Sequence, residues 1–162
     1  MIYYYKFDFL CLKLTIIENF DQYWITKLEI LENYKGRNRL CNPKGIRFID
    51  SINNFFDAYF YDKKTIKTPN FLLTGTDFQT KVWNYLTKIP IGQTISYEEL
   101  AKSAGFSKNY ARATGFACKK NPIPIIIPCH RVIGKKQDIK NYNYGIKIKK
   151  WLLEHEGSIY KN

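Results

Sequence analysis

Cys129 and His130 stand side by side in the run Asn121-Pro122-Ile123-Pro124-Ile125-Ile126-Ile127-Pro128-Cys129-His130-Arg131-Val132-Ile133-Gly134. A thiolate is a strong nucleophile, and a neighbouring imidazole can lower a thiol's pKa or take its proton. Groups able to orient His130 lie near the end of the chain, in Glu154-His155-Glu156-Gly157. Cysteine, histidine and carboxylate form the activation arrangement of nucleophilic cysteines in general. Adjacent side chains often point apart, so a relay from Cys129 to His130 calls for a bridging water. The competing reading is packing, because a buried cysteine usually behaves as an inert small hydrophobe.

The elements around this run must position it. Proline removes backbone donors and blocks helix, so three isoleucines between prolines predict an extended, stiff, buried segment before Cys129. Upstream, Thr76 and Gln79 have capping-box spacing, followed by the apolar stripe Phe78, Val82, Trp83 and Leu86, which ends before Pro90. Ser96 and Glu99 form a second capping box, opening a short helix through Ala104, and Gly105 is placed to end it. Ser107 caps another helix, expected over about 108–119. Two short helices joined by Gly105-Phe106-Ser107 have the dimensions of a helix-turn-helix.

The second of these helices reads Ala111-Arg112-Ala113-Thr114-Gly115-Phe116-Ala117. A helix that reads bases offers several Asn, Gln, Arg or Lys side chains. Here one arginine stands among alanine and glycine, which suits close backbone approach without sequence reading. Close packing of two helices would use the same small residues.

The chain has 162 residues with a formal charge of +12, and 45% of it is apolar. It can bury a core, and its charge points to a polyanionic partner or to a merely solubilising surface. Residues 1–76 carry a net +3 and residues 77–162 a net +9, so the half bearing Cys129 is the better candidate for the polyanion. No stretch is apolar enough to span a bilayer: Ile2 to Ile17 is broken by Lys6, Asp8 and Lys13. No secretory signal is recognisable, and an intracellular, cytoplasmic protein is expected. Cys11, Cys41, Cys118 and Cys129 show no C-x-x-C spacing, and no metal site is expected.

In the N-terminal half, residues 3–16 alternate as one strand, residues 22–32 suggest a second, and residues 46–60 have helical aromatic spacing. A Cys11–Cys41 disulfide is left open by the sequence. Residues 61–76, with Pro69 and Gly75, read as a linker or crossing segment. The fold class is α+β, with a small mixed α/β domain at 1–70 and a mainly helical, winged-helix-like domain with a helix-turn-helix at 77–162.

Pro128-Cys129-His130-Arg131-Val132, with Asn121-Pro122 before it and Asn141-Tyr142 after it, resembles the active-site signature of the O6-alkylguanine-DNA alkyltransferases, also called methylated-DNA–protein-cysteine methyltransferases. Ile95-Ser96-Tyr97, Ala111-Arg112-Ala113, Gly145 and Trp151-Leu152-Leu153-Glu154-His155-Glu156-Gly157 match in order. The resemblance covers about 77–157, and the N-terminal half is similar only in size and class.

The resemblance implies single-turnover, irreversible DNA repair. The residue matching Cys129 takes the alkyl group from O6-alkylguanine in duplex DNA, with O4-alkylthymine as a candidate second substrate. No cofactor is implied, because guanine is the leaving group, and a monomer suffices. Matching His130 acts as base through a water, matching Glu156 polarises it, and matching Asn121 ties the helix-turn-helix to the active-site turn. The alkylated base is reached by flipping. Arg112 fills the vacated space, and Tyr97 meets the 3′ phosphate and hydrogen-bonds the base. The small face at Ala111, Ala113 and Gly115 enters the minor groove, and Ser107 meets a phosphate. The base pocket is implied to use Pro124, Cys129, Val132, Tyr142, Asn143 and Tyr144, with the carbonyls of Cys129 and Val132 receiving the exocyclic amine.

One departure stands out. Many members have Ser-Gly-Gly after the tyrosine, and this chain has Asn143-Tyr144-Gly145, whose Tyr144 is expected to narrow the pocket. Two other readings compete: a non-catalytic winged-helix DNA binder, against which Cys129 argues, and a cysteine hydrolase, for which no oxyanion motif is found.

Overall fold

The computed structural model describes residues 1–20, 22–32, 34, 45–62, 67–139 and 141–160. The chain forms two compact units, Met1–Leu73 and Thr74–Asn162. The α+β class holds: a small sheet lies in the first unit and mostly helix in the second.

In the first unit, strands β1 (Ile2–Phe7), β2 (Leu10–Asn19) and β3 (Gln22–Glu32) form an antiparallel sheet in the order β1-β2-β3. The single strand expected over 3–16 is therefore two. Phe7 pairs with Leu10, leaving Asp8-Phe9 as a two-residue turn with Asp8 at φ 50. Aspartate tolerates that left-handed conformation better than most residues. The turn lacks Gly or Asn, which hid it. A parity change betrays it: Tyr3 and Tyr5 are buried before the turn, and Leu10, Leu12, Leu14 and Ile16 after it. Each fully buried Leu or Ile contributes about 1.5–3 kcal/mol.

Helix α1 (Ile46–Phe60) buries Ile49, Ile52, Phe55, Phe56, Tyr59 and Phe60, the expected aromatic stripe. Tyr3 and Tyr5 donate their hydroxyls to Asn53 and Asp57 on this helix, each at 2.6 Å. Part of the expected linker belongs to this unit. Ile25 N–H donates to the Asn70 carbonyl at 3.0 Å, and Leu72 N–H to the Ile25 carbonyl at 2.9 Å. Cys11 is buried; Cys41, and with it the disulfide question, lies outside the described residues.

In the second unit, α2 (Asp77–Leu86) begins in the Thr76/Gln79 capping box and buries Val82, Trp83 and Leu86. Trp83 Nε1 donates to the Ala117 carbonyl at 2.9 Å, tying α2 to the later helix. Helix α3 (Tyr97–Ser103) begins in the Ser96/Glu99 capping box. It ends at Gly105, φ +86, where Phe106 N–H reaches the Ala101 carbonyl and Gly105 N–H the Lys102 carbonyl. That paired closure needs a left-handed residue, which glycine supplies without a Cβ clash. Ser107 then caps a 3-10 turn (Lys108–Tyr110) that leads into α4 (Ala111–Lys119), so the helix expected over 108–119 starts as 3-10. β4 (Ile95–Ser96) runs parallel to β5 (Val132–Ile133), and α5 (Ile146–His155) follows Gly145 at φ +89.

Candidate active site

The segment before Cys129 is a compact turn rather than the extended run expected. Ile127 N–H donates to the Ile123 carbonyl at 2.9 Å, and Ile125 sits at φ 73. Proline restricts its own φ and the residue before it, which leaves Ile125 free to reverse the chain. Asn121 holds that reversal from inside. Its Oδ1 accepts from Ile123 N–H at 3.0 Å, and its Nδ2 donates to the Ile127 carbonyl at 2.7 Å. The same Nδ2 reaches Cys129 Sγ at 3.1 Å. Pro128, at φ −81 and ψ 63, forms an inverse γ-turn that brings Cys129 N–H within 2.8 Å of the Ile127 carbonyl. One amide side chain thus shapes the turn and meets the sulfur.

Cys129 is 6% exposed. Burial pushes its thiol up from the ordinary value, against the Asn121 hydrogen bond and the nearby Lys149 charge, which pull it down. The sulfur therefore rests as a neutral thiol and needs a base.

His130, on the next position, is fully buried. Its Nε2 lies 2.8 Å from Glu156 Oε1. Arg131 Nη2 donates to the same oxygen and Arg131 Nε to Oε2, both at 2.8 Å, while Arg131 Nη1 donates to the Ile89 carbonyl. Burial would raise the Glu156 carboxyl, but the His130 and Arg131 donors outweigh it and hold the group well below the usual carboxylate range. An ionised carboxylate only accepts, so Nε2 carries the imidazole hydrogen and Nδ1 the lone pair. Nδ1 is buried with no hydrogen-bond partner among the described residues, which leaves it as the basic atom. Burial lowers the His130 pKa more than Glu156 raises it, so the ring is neutral at neutral pH. Of the three groups that could orient His130, Glu156 does so. His155 stacks on Trp151, and Glu154 accepts from the Tyr160 hydroxyl.

Arg131 and Lys149 were not anticipated. Lys149 is fully buried, and its Nζ donates to the Val132 carbonyl at 2.7 Å. Burial pulls its pKa down to about 8. The signal was available: Ile148, Lys149, Leu152, Leu153 and Glu156 all fall on the buried stripe of one helix and its cap.

The β4–β5 pairing sets Ile95 against Val132 and Ser96 against Ile133, which brings Tyr97 to the Cys129 turn. Tyr97, Asn141, Tyr142 and Asn143 wall a cavity of about 500 Å³, together with Arg112, Gly115, Phe116 and Lys119 of α4. Of the residues implied for the base pocket, Tyr142 and Asn143 are in this wall; Pro124, Cys129, Val132 and Tyr144 are outside it. Pro124 and Cys129 are buried in the turn and Val132 in β5 instead, and the Tyr144 ring packs 5.8 Å from that of Tyr142. Burial pushes the Tyr97 hydroxyl well up, so it remains a proton donor. Gly115 packs beside Tyr97, with room for a Cβ 3.6 Å from its ring.

The small face of α4 is split by the fold. Arg112 and Ala113 are exposed, Ala111 and Gly115 half-buried, and Thr114 and Ala117 buried. Phe116, not the small residues alone, shares the exposed face. Ser107 is exposed at the start of the 3-10 turn, where its Oγ accepts from Asn109 N–H at 3.4 Å.

Comparison with known proteins gives a consistent result. Residues 77–158 match the model of the 6-O-methylguanine DNA methyltransferase DNA-binding domain. The chain is 38% identical over 135 residues to the methylated-DNA–protein-cysteine methyltransferase of Methanosarcina acetivorans, covering 81% of this chain and 86% of that one. It is 37% identical over 142 residues to the protein of that name from Shigella flexneri, covering 86% and 80%. The crystal structure of Mycobacterium tuberculosis O6-methylguanine methyltransferase superposes with TM-score 0.73 at 33% identity, covering 97% of this chain and 93% of that one. Mycobacterium tuberculosis OGT in complex with DNA superposes with TM-score 0.70 at 39% identity, covering 90% and 86%. With its Cys129 turn, its Glu156-bound histidine and these similarities, the chain belongs to the methylated-DNA–protein-cysteine methyltransferase family.

Proposed function

We propose that this protein repairs duplex DNA by direct reversal, moving the alkyl group of O6-alkylguanine irreversibly onto Cys129. The observation that carries the reading is a thiol held by Asn121 at 3.1 Å beside a neutral histidine whose free Nδ1 is the available base. The thiol proton passes through a water to His130 Nδ1. The sulfur lone pair then forms the S–C bond as the C–O6 bond breaks. Guanine leaves with the electron pair and is protonated from Tyr97, and the proton held by His130 then passes through solvent to the Tyr97 phenolate, so both side chains end neutral. The product thioether is not hydrolysed, so each molecule acts once and no cofactor is consumed. O4-alkylthymine, with the same alkyl–oxygen bond, is the second substrate of this chemistry.

The base must leave the stack to meet a buried thiol. In this reading it enters the cavity beside Tyr97, while Arg112 fills the space behind it. Ser107, Ala111, Ala113 and Gly115 lie along the backbone and minor groove, and Cys129 and Val132 offer carbonyls to the exocyclic amine. Unit Thr74–Asn162 thus carries both DNA binding and alkyl acceptance, and the first unit is structural. A monomer suffices, and the positive charge serves general phosphate attraction and search. The protein works wherever the cell keeps its DNA.

The test is an intact mass after incubation with a duplex containing O6-methylguanine. A single methyl mapped to the Cys129 peptide is expected. Tight binding with unchanged mass would establish a non-catalytic binder, and repeated turnover with unmodified protein a hydrolase.

Three further outcomes are expected. Transfer should persist below pH 6.5, the ordinary histidine value, and fall only as His130 is protonated at its lowered pKa. The unfolded chain takes up a proton at His130 from about pH 6.5 downward while the folded one resists it, so stability falls as pH drops from there to the lowered folded-state pKa, the interval over which transfer persists. Single-turnover rates and urea midpoints across pH 4.5–8 check both. Second, O6-benzylguanine should react at least roughly tenfold more slowly than O6-methylguanine, because Tyr144 braces the Tyr142 wall; Tyr144→Gly should narrow the gap. Equal rates would dismiss a narrowing role. Third, S-methylation adds a methyl to a packed turn and removes the Asn121–Sγ contact, at about 1–3 kcal/mol. Calorimetry of the alkylated protein should show a lower Tm, and equal Tm values would reject the idea.

A further inference from the structure

Phe116 is an exposed large aromatic on an otherwise polar or small-residue helix face. It stands on the solvent side of α4 with 57% of its surface exposed, next to a helix face otherwise made of Arg112, Ala113 and Lys119. Arg112 and Phe116 are four residues apart, so they stack along one face of the helix. The same pair separates two hollows. On one flank lies the cavity of about 500 Å³ beside Tyr97. On the other lies an open, apolar hollow of about 710 Å³ walled by Phe78, Tyr110 and Ala113. Arg112 and Phe116 are the two residues common to both walls, which makes them a ridge between the hollows.

The surroundings say what such a ridge would meet. No acidic residue occurs in α4 or its flanks from Ser107 to Lys120, whereas Lys108, Arg112, Lys119 and Lys120 do. Lys120 Nζ lies 5.6 Å from the centre of the Phe116 ring. An exposed ring bordered by cations fits a ligand that is apolar in its interior and anionic at its edge. Stacked bases between phosphate backbones have that pattern, and apolar side chains entering from the minor groove unstack and kink DNA.

We propose that Phe116 is a second wedge beside Arg112: its ring enters the base step flanking the extruded nucleotide, while Arg112 occupies the vacated position. This rests on the alkyl-transfer reading above and adds a residue that sets the ease of duplex opening. The ring does not read sequence, since every base has a π-face. It discriminates instead between duplex that is easily opened and duplex that is not.

The test uses the full chain with Phe116→Ala and Phe116→Leu, a duplex carrying O6-methylguanine beside 2-aminopurine, and free O6-methylguanine as a second substrate. The quantity read is the ratio of duplex to free-base rate constants, so that any effect on the shared cavity cancels. Loss of one stacked contact predicts a fall of about tenfold in that ratio for Phe116→Ala, with a smaller 2-aminopurine signal on binding. Phe116→Leu, still an apolar wedge, should stay within about threefold of the parent. A ratio for Phe116→Ala within about twofold of the parent, or a loss shared equally by both substrates, would overturn the proposal. Should Phe116→Ala fold poorly by circular dichroism, Phe116→Gln gives the same reading. Failure of the parent to take a methyl from either substrate would count against the alkyl-transfer reading alone. The wedge would then be decided by whether the 2-aminopurine signal of the parent is lost in the variant.

Discussion

Replacing Cys129 by serine should abolish methyl uptake: the mass stays that of the unmodified protein after a duplex with O6-methylguanine is consumed completely by the parent. The physical reason is nucleophilicity. A hydroxyl has a far higher pKa than a thiol, and a neutral imidazole cannot hold its proton long enough for attack on carbon. Serine keeps the hydrogen bond from Asn121, which lies 3.1 Å from the sulfur, and it leaves the turn in place. The oxygen is slightly smaller than sulfur, so the cost in folding stability should stay near about 1 kcal/mol. Urea denaturation checks that loss of transfer is chemical rather than structural. Any methylated product on the serine variant would move the acceptor elsewhere, with buried Cys118 the first place to look.

The second large effect is expected at Glu156. Glu156→Gln should slow transfer by about 10²–10⁴-fold, the range for removing a positioned proton acceptor's support. It should also destabilise the second unit by about 3–5 kcal/mol, because it leaves buried Arg131 without its counter-charge. Both carboxylate oxygens are in use, by His130 Nε2, Arg131 Nη2 and Arg131 Nε. A glutamine can offer one carbonyl to these donors, and its own N–H₂ then faces another donor. His130 also loses the acceptor that fixes its tautomer, so Nδ1 is no longer reliably the bare nitrogen. Single-turnover quench on the folded fraction separates the two consequences. A rate within tenfold of the parent would remove Glu156 from the proton path. Pairing Glu156→Gln with Arg131→Met should recover stability without recovering rate, because the uncompensated charge goes while the tautomer remains free.

The helix-turn-helix was readable because its signals are local. One capping box, a glycine at φ +86 and a serine cap all act within four residues of themselves. The β1–β2 turn was missed because Asp8-Phe9 carries none of the usual turn residues, and only the change of buried parity from Tyr5 to Leu10 marks it. The 122–128 segment was misjudged for a different reason. Proline content predicts what the backbone cannot do, but the direction of the chain at Ile125 is set by Asn121, whose three hydrogen bonds close over eight residues. Arg131 and Lys149 escaped because charged residues are expected at the surface, and both are buried by partners far along the chain.

The residue types and order of 121–132 and 151–157, by themselves, determined the family to which the chain belongs and singled out the thiol and histidine proposed as acceptor and base. Covalent reactivity is a property of side-chain chemistry, and it survives in a one-dimensional record. Tertiary structure decided which of Glu154, His155 and Glu156 meets the imidazole, which nitrogen is left basic, that a buried lysine sits beside the thiol, and that Phe116 shares the exposed ridge with Arg112. Those depend on helix rotation and on contacts between residues tens of positions apart, where a shift of one residue turns a side chain by about 100° around the helix.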